Sequence, residues 1–511
     1  MGASGTTQPQ NADGGSGACC APQGCPVDLK ITPDDRDALG LPEWNHWWFL
    51  SWFHRALHAL RRDLYFALFH VLSQPALLWL IRALARIARR IHPVPRIGRL
   101  VVPLRAQDLR NALERTEDLN GAEDMSPRLP AGENVLAIDW PRRHTEERTH
   151  LERALDCDHA QDHARIRRIV RARMRSALPS DRSGMRALNI ARMCEDVTLD
   201  VAHCYLGIGV PTENCCQRDH MRPIVRKLAS QVFQGPVPGS IEERDVRLAG
   251  DRMIGLAADR VDAAIACFKE SNGRPKSPED WTITDRLIRQ LSDDTLGKPT
   301  PRERHWVIRN MATLTVFGSV TTARAMTQAI YQICRKPDRW KIACRAAHDY
   351  AGLAEDCERS PETTDDRTRA RLDLRRDEML LVVFEALRWH PMLPMLGIRT
   401  VLRDTLLAPD TSHRTRVRGG SRVLPLLLAA MHDGDTFRNP GCFCPKSRNK
   451  DDYLHFGAGP HECVGRHMAE AMMIEIAAAF FSDEVISAKY RRCEGIEYDG
   501  PAVAGLRFER C

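Results

Sequence analysis

The stretch FGAGPHECVGRHMAE, residues 456–470, decides the fold, because it sets one cysteine in a glycine-rich turn before an apolar run. Cys463 lies between Gly459 and Gly465, and MMIEIAAAFF then continues as a predicted helix. Backbone N–H groups and the dipole of a helix N-terminus stabilise a thiolate. Glycines let the backbone bend tightly and approach a flat group closely. Cys463 is therefore a candidate metal ligand, and a buried thiol in an ordinary turn is the alternative.

Composition indicates a globular chain with a large core. The 511 residues are 43% hydrophobic and 28% charged, with a net charge of +7. Lys and Arg are interspersed with Asp and Glu along the chain, so no nucleic-acid-binding tail is predicted. The 17 cysteines are scattered without a C-x-x-C pair, which disfavours a zinc ribbon. No apolar signal segment follows Met1, and we expect a cytoplasmic, reducing location with mostly free thiols.

The chain divides into three predicted parts. Residues 1–40 are rich in small polar side chains and are expected to be disordered. Residues 41–94 are apolar and basic, and they are predicted to form amphipathic helices with peripheral membrane contact through 45–93. The uncharged run 64–81 is short for a transmembrane span and contains polar residues, so a span is the less favoured alternative. Residues 95–511 read as one helix-rich domain.

The cysteine stretch resembles the heme-binding loop of the cytochrome P-450 family in its bacterial version. Phe456, Gly459, His461, Cys463 and Gly465 all match the pattern F-G-x-G-P-H-x-C-x-G. The resemblance implies a mainly α fold with a small β region that binds heme b, with the Cys463 thiolate as the axial ligand of its iron. Electron donation from that sulfur favours cleavage of the O–O bond. His461 is expected to reach a carboxylate at the edge of the heme.

A second motif lies upstream, in the sequence LVVFEALRWHPMLP. Glu385 and Arg388 are at i and i+3, so they share one face of a predicted helix and can pair. The segment resembles the family's E-x-x-R helix and its R-x-H-P continuation, with Trp389 in place. In that family the pair is structural. Arg448 is similar to the arginine that completes this network, although the preceding FCPKSR is one residue longer than usual.

The heme propionates need cationic partners, and the resemblance offers three candidates. The segment QDHARIRRIV is similar to the family's H-x-x-x-R helix, which implies that His163 and Arg167 hold one propionate. His144 and Arg148 form a competing pair in DWPRRHTEERTHL. We prefer His163 and Arg167 because of the R-R-x-V continuation, since helical spacing alone does not separate the pairs. Arg399 is expected at the other propionate.

The segment TVFGSVTTARAM corresponds to the family's oxygen-binding helix but departs from it. Gly318, Thr321 and Thr322 match the pattern, and they are the candidate catalytic residues. Gly318 would permit a kink, and the hydroxyl of Thr321 would hydrogen-bond bound oxygen. Val320 stands where the family has an acid, and it cannot transfer a proton. Phe317 stands at a small-residue position and should narrow the pocket. An ordinary packed helix is the alternative.

These expectations lead to three functional hypotheses. The first is a monooxygenase that inserts one oxygen atom of dioxygen into a small apolar organic substrate. Its electrons would come from a separate ferredoxin or flavoprotein reductase, because we recognise no flavin or iron–sulfur segment in the chain. The second is a peroxide- or hydroperoxide-using enzyme of the peroxygenase or isomerase type, which needs no reductase and is suggested by Val320. The third is a non-catalytic heme-binding protein.

Overall fold

Helices form most of the structure, which is a computed structural model. It describes residues 75–121, 134–138, 141–155, 159–180, 188–208, 215–234, 241–270, 281–294, 299–360, 365–499 and 502–509. The predictions for residues 1–40 and 41–74 lie outside the described residues. The helices are α1 Pro75–Ile91, α2 Ala106–Glu114, α3 Pro141–Leu155, α4 His159–Ala177, α5 Ile190–Val201, α6 Cys215–Gln234, α7 Ile241–Glu270, α8 Ile283–Asp294, α9 Pro301–Cys334, α10 Pro337–Arg359, α11 Asp366–Trp389, α12 Leu427–Ala430, α13 Arg466–Ser482 and α14 Glu484–Ser487.

The strands are short and form small sheets. They are β1 Arg96–Ile97, β2 Leu100–Val101, β3 Leu119–Asn120, β4 Arg399–Val401, β5 Thr405–Leu407, β6 Thr415–Val417, β7 Arg422–Val423, β8 Glu497–Asp499 and β9 Ala502–Gly505. The largest sheet has the order β1-β2-β7-β4-β3, and β5–β6 and β8–β9 form separate hairpins. β2 and β7 run parallel, whereas the other pairs are antiparallel. The prediction of a mainly α fold with a small β region is confirmed.

The central helix is α9, which packs against α5, α6, α7 and α11. A capping box starts it: the side chain of Thr300 accepts a hydrogen bond from the Glu303 N–H, and Glu303 accepts one from the Thr300 N–H. Pro301 occupies the first turn, where a missing N–H costs nothing. Because its buried residues lie on all sides, α9 is a core helix rather than an amphipathic surface one.

The helix after the cysteine loop, α13, packs against α4, α10 and α11. Its sequence is apolar on most sides, and a buried face can therefore meet each neighbour. Phe481 of α13 meets the ring of Trp340 on α10 at a centroid distance of 5.5 Å. The cysteine loop is thereby anchored between the central helix and the helices around α13.

Helix α1 packs on the sheet side of the molecule. Ala85 lies in a cluster with Val102, Leu104 and Ala429. The buried Arg89 donates hydrogen bonds to the carbonyl oxygens of Leu104 and Ala429. These contacts join α1 to the region after residue 95, and the predicted domain boundaries remain predictions. Within the part of the chain that the structure describes, we find no helix with the length and apolar character needed to cross a membrane.

Candidate functional site

The cysteine loop is a tight turn fixed by its own backbone. The Cys463 N–H donates to the carbonyl oxygen of Phe456 over 2.9 Å, and the Glu462 N–H donates to that of Gly459 over 2.9 Å. Gly457 and Gly459 adopt φ angles of 80° and 74°, in the left-handed region that favours glycine. The loop therefore reaches its shape only with these glycines.

Gly459 also has no room for a side chain. A Cβ atom added there would lie 2.6 Å from the Cα atom of Glu114 and 3.0 Å from the carbonyl oxygen of Leu113. Because both obstacles are backbone atoms at the end of α2, they cannot move aside as a flexible side chain would. The loop is thus seated directly on α2.

The Cys463 thiol is partly buried beside groups that favour a thiolate. Burial raises its pKa above the ordinary value, while the N–H of Gly465 and the guanidinium of Arg148 oppose that rise. A metal ion removes the burial penalty, because the bond forms with the deprotonated sulfur. The combination of one sulfur, one N–H donor and a nearby cation suits a metal-bound thiolate.

Arg148 and His144 on α3 lie against this loop. The Arg148 Nη1 donates to the carbonyl oxygens of Pro460 and Glu462 over 2.9 and 2.6 Å. The buried His144 stands one turn earlier, with its ring centroid 4.5 Å from that of His461. The alternative H-x-x-x-R pair is therefore adjacent to the predicted cysteine ligand.

His163 and Arg167 on α4 lie elsewhere. The His163 Nε2 is 2.8 Å from the Glu475 Oε1 and 3.2 Å from the Tyr350 hydroxyl. The Arg167 Nε is 3.3 Å from a Glu358 oxygen and 3.7 Å from a Glu475 oxygen. Burial raises the pKa of Glu475, but His163 and Arg167 outweigh it and hold that pKa below its ordinary value. The pair joins α4 to α13 and α10.

The structure gives the two pairs different surroundings. Both pairs have the i, i+4 spacing. The pair on α3 contacts the cysteine loop, whereas the pair on α4 contacts the Glu475 carboxylate on α13. Spacing could not separate them because the choice depends on which helix packs beneath the loop. The assignment of a pair to the propionate is taken up below as a proposal.

Arg399, the other predicted propionate partner, is the first residue of β4. It is half-buried and pairs in register with Val423 of β7. Its guanidinium lies against Gly121, where a Cβ atom would collide with it. The sheet thus fixes the backbone of Arg399, and the glycine makes room for its side chain.

Glu385 and Arg388 form a fully buried bidentate ion pair. The Arg388 Nε and Nη2 donate to the two Glu385 carboxylate oxygens over 2.9 and 2.7 Å. Arg388 also donates to the carbonyl oxygens of Pro440 and Cys442 over 2.9 and 3.0 Å. The pair therefore fixes α11 to the irregular segment that leads into the cysteine loop.

The Glu385 carboxylate has further donors. The Tyr453 hydroxyl and the Cys444 N–H donate to it over 2.9 and 3.2 Å, and the Arg448 Nε lies 3.9 Å away. Burial raises the pKa of Glu385, but Arg388 outweighs it and keeps that pKa below the ordinary value. The structure thus places Arg448 beside the pair, as the sequence suggested despite its longer spacing.

The oxygen-side candidates lie midway along α9. The Thr321 hydroxyl donates to the carbonyl oxygen of Phe317 over 2.6 Å, and Thr322 and Val320 are buried. A Cβ atom added to Gly318 would lie 3.1 Å from the Met468 Cε, in the first turns of α13. The helix carrying the threonines therefore meets the helix that follows Cys463.

Phe317 lies on the side of α9 that carries Thr321. It packs against Ala137 and Val232, which come from the 134–138 segment and from α6. The same segment is tied to α9 because the Asn134 amide donates to the Thr313 hydroxyl over 2.7 Å. The side of α9 that carries Phe317 and Thr321 is thus apolar around Phe317.

Sequence reasoning missed Arg324. Helical spacing puts it on the same face of α9 as Phe317 and Thr321, and it is almost fully buried. Its guanidinium carbon lies 5.2 Å from the centroid of the Tyr498 ring. Between residues 311 and 328 it is the one charged residue in the sequence. A single charged residue in an 18-residue stretch of a core helix was the available signal.

Residues 258–482 match the cytochrome P-450 family model, a range that includes the α9 segment, the E-x-x-R pair and the cysteine loop. Over these residues the chain is similar to the cytochrome P-450 family. Solved P-450 structures share its fold at low sequence identity. A P-450 enzyme of Bacillus subtilis is 18% identical, with a TM-score of 0.56 over 84% of this chain and 97% of that one. The P-450 heme domain of Tepidiphilus thermophilus is 16% identical, with a TM-score of 0.58 over 83% and 91%.

The curated relatives match over shorter stretches. Luteothin monooxygenase of Streptomyces thioluteus is 23% identical over 238 residues, which are 46% of this chain and 47% of the relative. A bifunctional dioxygenase–epoxy alcohol synthase of Fusarium oxysporum is 38% identical over 78 residues, 14% of this chain and 6% of the relative. This chain thus spans less than half the length of these relatives.

The cofactor of the P-450 fold is heme b, bound through a cysteine thiolate. The site residues fit this group. Cys463 supplies the sulfur, and Arg148 and His144 lie beside the loop for anionic carboxylates.

Proposed function

We propose that this protein is a monooxygenase that inserts one oxygen atom of dioxygen into a small apolar organic molecule. The main support for the proposal is the contact between α9 and α13 at Gly318 and Met468. It places the helix that carries the threonines against the helix that follows the cysteine loop. When bound there, heme supplies the iron at which dioxygen is reduced and its O–O bond is broken.

Cys463 is the proposed iron ligand, and its neighbours set the charge on its sulfur. The Gly465 N–H and the Arg148 cation stabilise the thiolate. Phe456 accepts the Cys463 N–H on its carbonyl oxygen, and this hydrogen bond fixes the orientation of the ligand. A metal ligand held by backbone hydrogen bonds keeps its geometry without reorganisation.

His144 and Arg148 are the proposed partners of one propionate, with His461 beside them. Arg148 already contacts the loop, and a cation with several donors can serve a carboxylate as well. Arg399 is the proposed partner of the other propionate. His163 and Arg167, preferred from the sequence, are instead assigned to the Glu475 contact that supports α13.

Thr321 is proposed to present its hydroxyl proton on the oxygen side, where it now donates to the Phe317 carbonyl. Thr322 and Gly318 are proposed to shape the helix beside it. Phe317 forms an apolar cluster with Ala137 and Val232 on this side. Burial of apolar surface then favours an apolar substrate.

The alternative is a peroxide- or hydroperoxide-using enzyme. It is favoured because the sequence of α9 around Thr321 contains no acid. Dioxygen reduction consumes two protons per turnover, whereas hydrogen peroxide brings its own. Val320 cannot donate a proton, and the neighbouring Arg324 keeps its proton throughout the physiological range. Monooxygenation therefore requires protons from water or substrate.

The electron donor is proposed to be a separate ferredoxin or flavoprotein reductase. The described cysteines are all free, which is typical of a reducing compartment, and we propose a cytoplasmic location. Peripheral membrane contact through residues 45–93 remains part of the proposal, and its α1 portion is developed in the next subsection.

Isotope incorporation distinguishes the two reactions. The purified holoprotein is supplied with apolar probe molecules and either a ferredoxin system under ¹⁸O₂ or hydrogen peroxide alone. A monooxygenase gives ¹⁸O-labelled product only with the reductant, and reductase-independent turnover with peroxide supports the alternative. Val320→Asp is expected to raise the ferredoxin-driven rate relative to Val320→Asn, which has the same shape but no acid. Equal rates for these variants contradict the proposed lack of a proton donor.

A further inference from the structure

Helix α1 has a buried face and an exposed apolar face. Leu78, Ala85 and Arg89 are buried against the sheet side of the molecule. On the other side, Leu84 is 56% exposed and Ile87 is 57% exposed. A helix on the surface of a globular protein ordinarily keeps its second face polar. The outer face of α1 does not follow that rule.

The exposed apolar residues form a continuous stripe. Leu80, Leu84, Ile87 and Ile91 follow the i, i+4, i+7, i+11 pattern, and all are exposed. Ile97, 72% exposed on β1, continues the stripe past the end of the helix. We call this set, together with Trp79, the α1 stripe.

Arginines border the α1 stripe. Arg86 and Arg90 are exposed on α1, and Arg96 and Arg99 flank Ile97 on the β1–β2 hairpin. From residue 64 to residue 107 the sequence contains seven arginines and no Asp or Glu. An apolar stripe bordered by these arginines complements an anionic, partly apolar surface.

The interior behind α1 adds to this positive charge. Burial, together with the charges of Arg388, Arg339 and Arg335, lowers the pKa of Arg82 to about 10. The guanidinium carbons of Arg82 and Arg339 lie 4.8 and 4.7 Å from the centroid of the Trp389 ring. Several cations thus lie close together behind α1, with Asp433 and Asp435 near Arg89.

A lipid surface fits these features better than a protein partner does. Five of the ten tryptophans lie between residues 44 and 79, and tryptophan favours the boundary between headgroups and acyl chains. Arginine attracts anionic headgroups while its apolar neighbours enter the acyl boundary. A protein-binding helix face would not require a run of 44 residues without an acid, residues 64–107.

We propose that the α1 stripe and its bordering arginines dock on an anionic phospholipid surface, with α1 parallel to the membrane plane. This inference is independent of the proposed reaction. It assigns the membrane contact to particular side chains of α1 and the β1–β2 hairpin.

Vesicle sedimentation tests the proposal with the full chain. We expect stronger binding to vesicles of phosphatidylcholine with phosphatidylglycerol than to phosphatidylcholine alone, and weaker binding at high salt. The double variant Leu84→Ser, Ile87→Ser should lose binding by more than tenfold. The double variant Arg86→Gln, Arg90→Gln should lose it about 25-fold on the anionic vesicles, since each cation near the surface contributes roughly a fivefold effect.

Helix α11 provides matched controls. Leu374 is 59% exposed, and the exposed Arg367 and Arg371 repeat the i, i+4 spacing of Arg86 and Arg90. The variants Leu374→Ser and Arg367→Gln, Arg371→Gln should bind vesicles like the wild type. Circular dichroism and thermal unfolding check that each variant is folded.

Fluorescence tests the contact without a disruptive substitution. The exposed Trp79 lies at the edge of the stripe, and the difference between the wild type and Trp79→Phe isolates its emission. Brominated phosphatidylcholine in the anionic vesicles should quench that emission. Three results would each overturn the proposal. The α1 variants could bind vesicles as tightly as the wild type, or the wild type could fail to bind vesicles. The third is that the α1 substitutions change self-association of the protein instead of vesicle binding.

Discussion

Arg148 donates a hydrogen bond over 2.6 Å to the carbonyl oxygen of Glu462, the residue directly before Cys463. It links α3 to the loop that carries the proposed ligand. Since a second hydrogen bond reaches Pro460, the guanidinium holds the loop at two points. The proposed assignment of His144 and Arg148 to a propionate rests on this link between α3 and the loop.

Arg148→Ala should weaken heme binding by about tenfold to a hundredfold. The reason is the loss of loop-fixing hydrogen bonds, with a net effect on heme binding of about one charge-assisted bond, ~1.5–3 kcal/mol. Heme transfer from the holoprotein to a heme-free acceptor protein measures the effect. Arg153→Ala, at an exposed position of the same helix, should change nothing. Equal transfer rates for these two variants would refute the assignment of Arg148.

Arg388→Ala should lower the free energy of unfolding by ~3–5 kcal/mol, because it leaves the Glu385 carboxylate buried without its bidentate partner. Arg388→Lys should not rescue it, since lysine lacks the planar fork. Urea unfolding followed by circular dichroism gives these values. Arg376→Ala removes a more exposed pair on the same helix and should cost at most ~1 kcal/mol. A loss at Arg388 as small as that at Arg376 contradicts the structural role.

Stability should decline in mild acid because of His455. Its ring nitrogen lies 2.9 Å from the Phe384 carbonyl oxygen, and burial lowers its pKa to about 4. The unfolded chain has a histidine pKa of about 6.5, so between these values the unfolded state binds more protons. The stabilisation is complete above pH ~6.5, and ~3 kcal/mol is lost as the pH falls to about 4.

The slope of unfolding free energy against pH measures this effect. His455→Gln should flatten the slope, whatever its effect on the stability at neutral pH. Part of the slope should persist, because burial also holds the pKa of His432 well below its ordinary value. An unchanged slope in His455→Gln would show that His455 does not titrate in this way.

Phe317→Ala should admit bulkier ligands to the oxygen side. Removing the ring opens space beside Ala137 and Val232. Optical titration should show roughly tenfold tighter binding of bulky aryl imidazoles, with imidazole itself unchanged. Phe443→Ala, which removes a ring that contacts Arg339, serves as the control. If Phe317→Ala and the wild type accept the same range of ligands, Phe317 does not limit the pocket.

Local motifs allowed the most reliable sequence predictions. Glu385 and Arg388 are three positions apart on one helix, so their pairing follows from helix geometry alone. The glycine-rich loop is equally local, since its left-handed φ angles and its hydrogen bond from Cys463 to Phe456 are made within a few residues. Both features appear in the structure as the sequence suggested.

The choice between the H-x-x-x-R pairs could not be made locally. His144 and His163 have the same helical spacing to an arginine, and only the packing of α3 and α4 separates them. The burial of Arg324 against Tyr498 could not be predicted, because Tyr498 lies far away in the sequence. The α1 stripe required the fold as well, because burial of Ala85 shows which face remains exposed.

The most direct test of the central claim is the absorption spectrum of the reduced protein under carbon monoxide. We predict the band position typical of thiolate-bound heme, its loss in Cys463→Ala, and its retention in Cys444→Ala. A wild-type spectrum without that band, together with heme retained at wild-type affinity by Cys463→Ala, would contradict the assignment of Cys463 as the iron ligand.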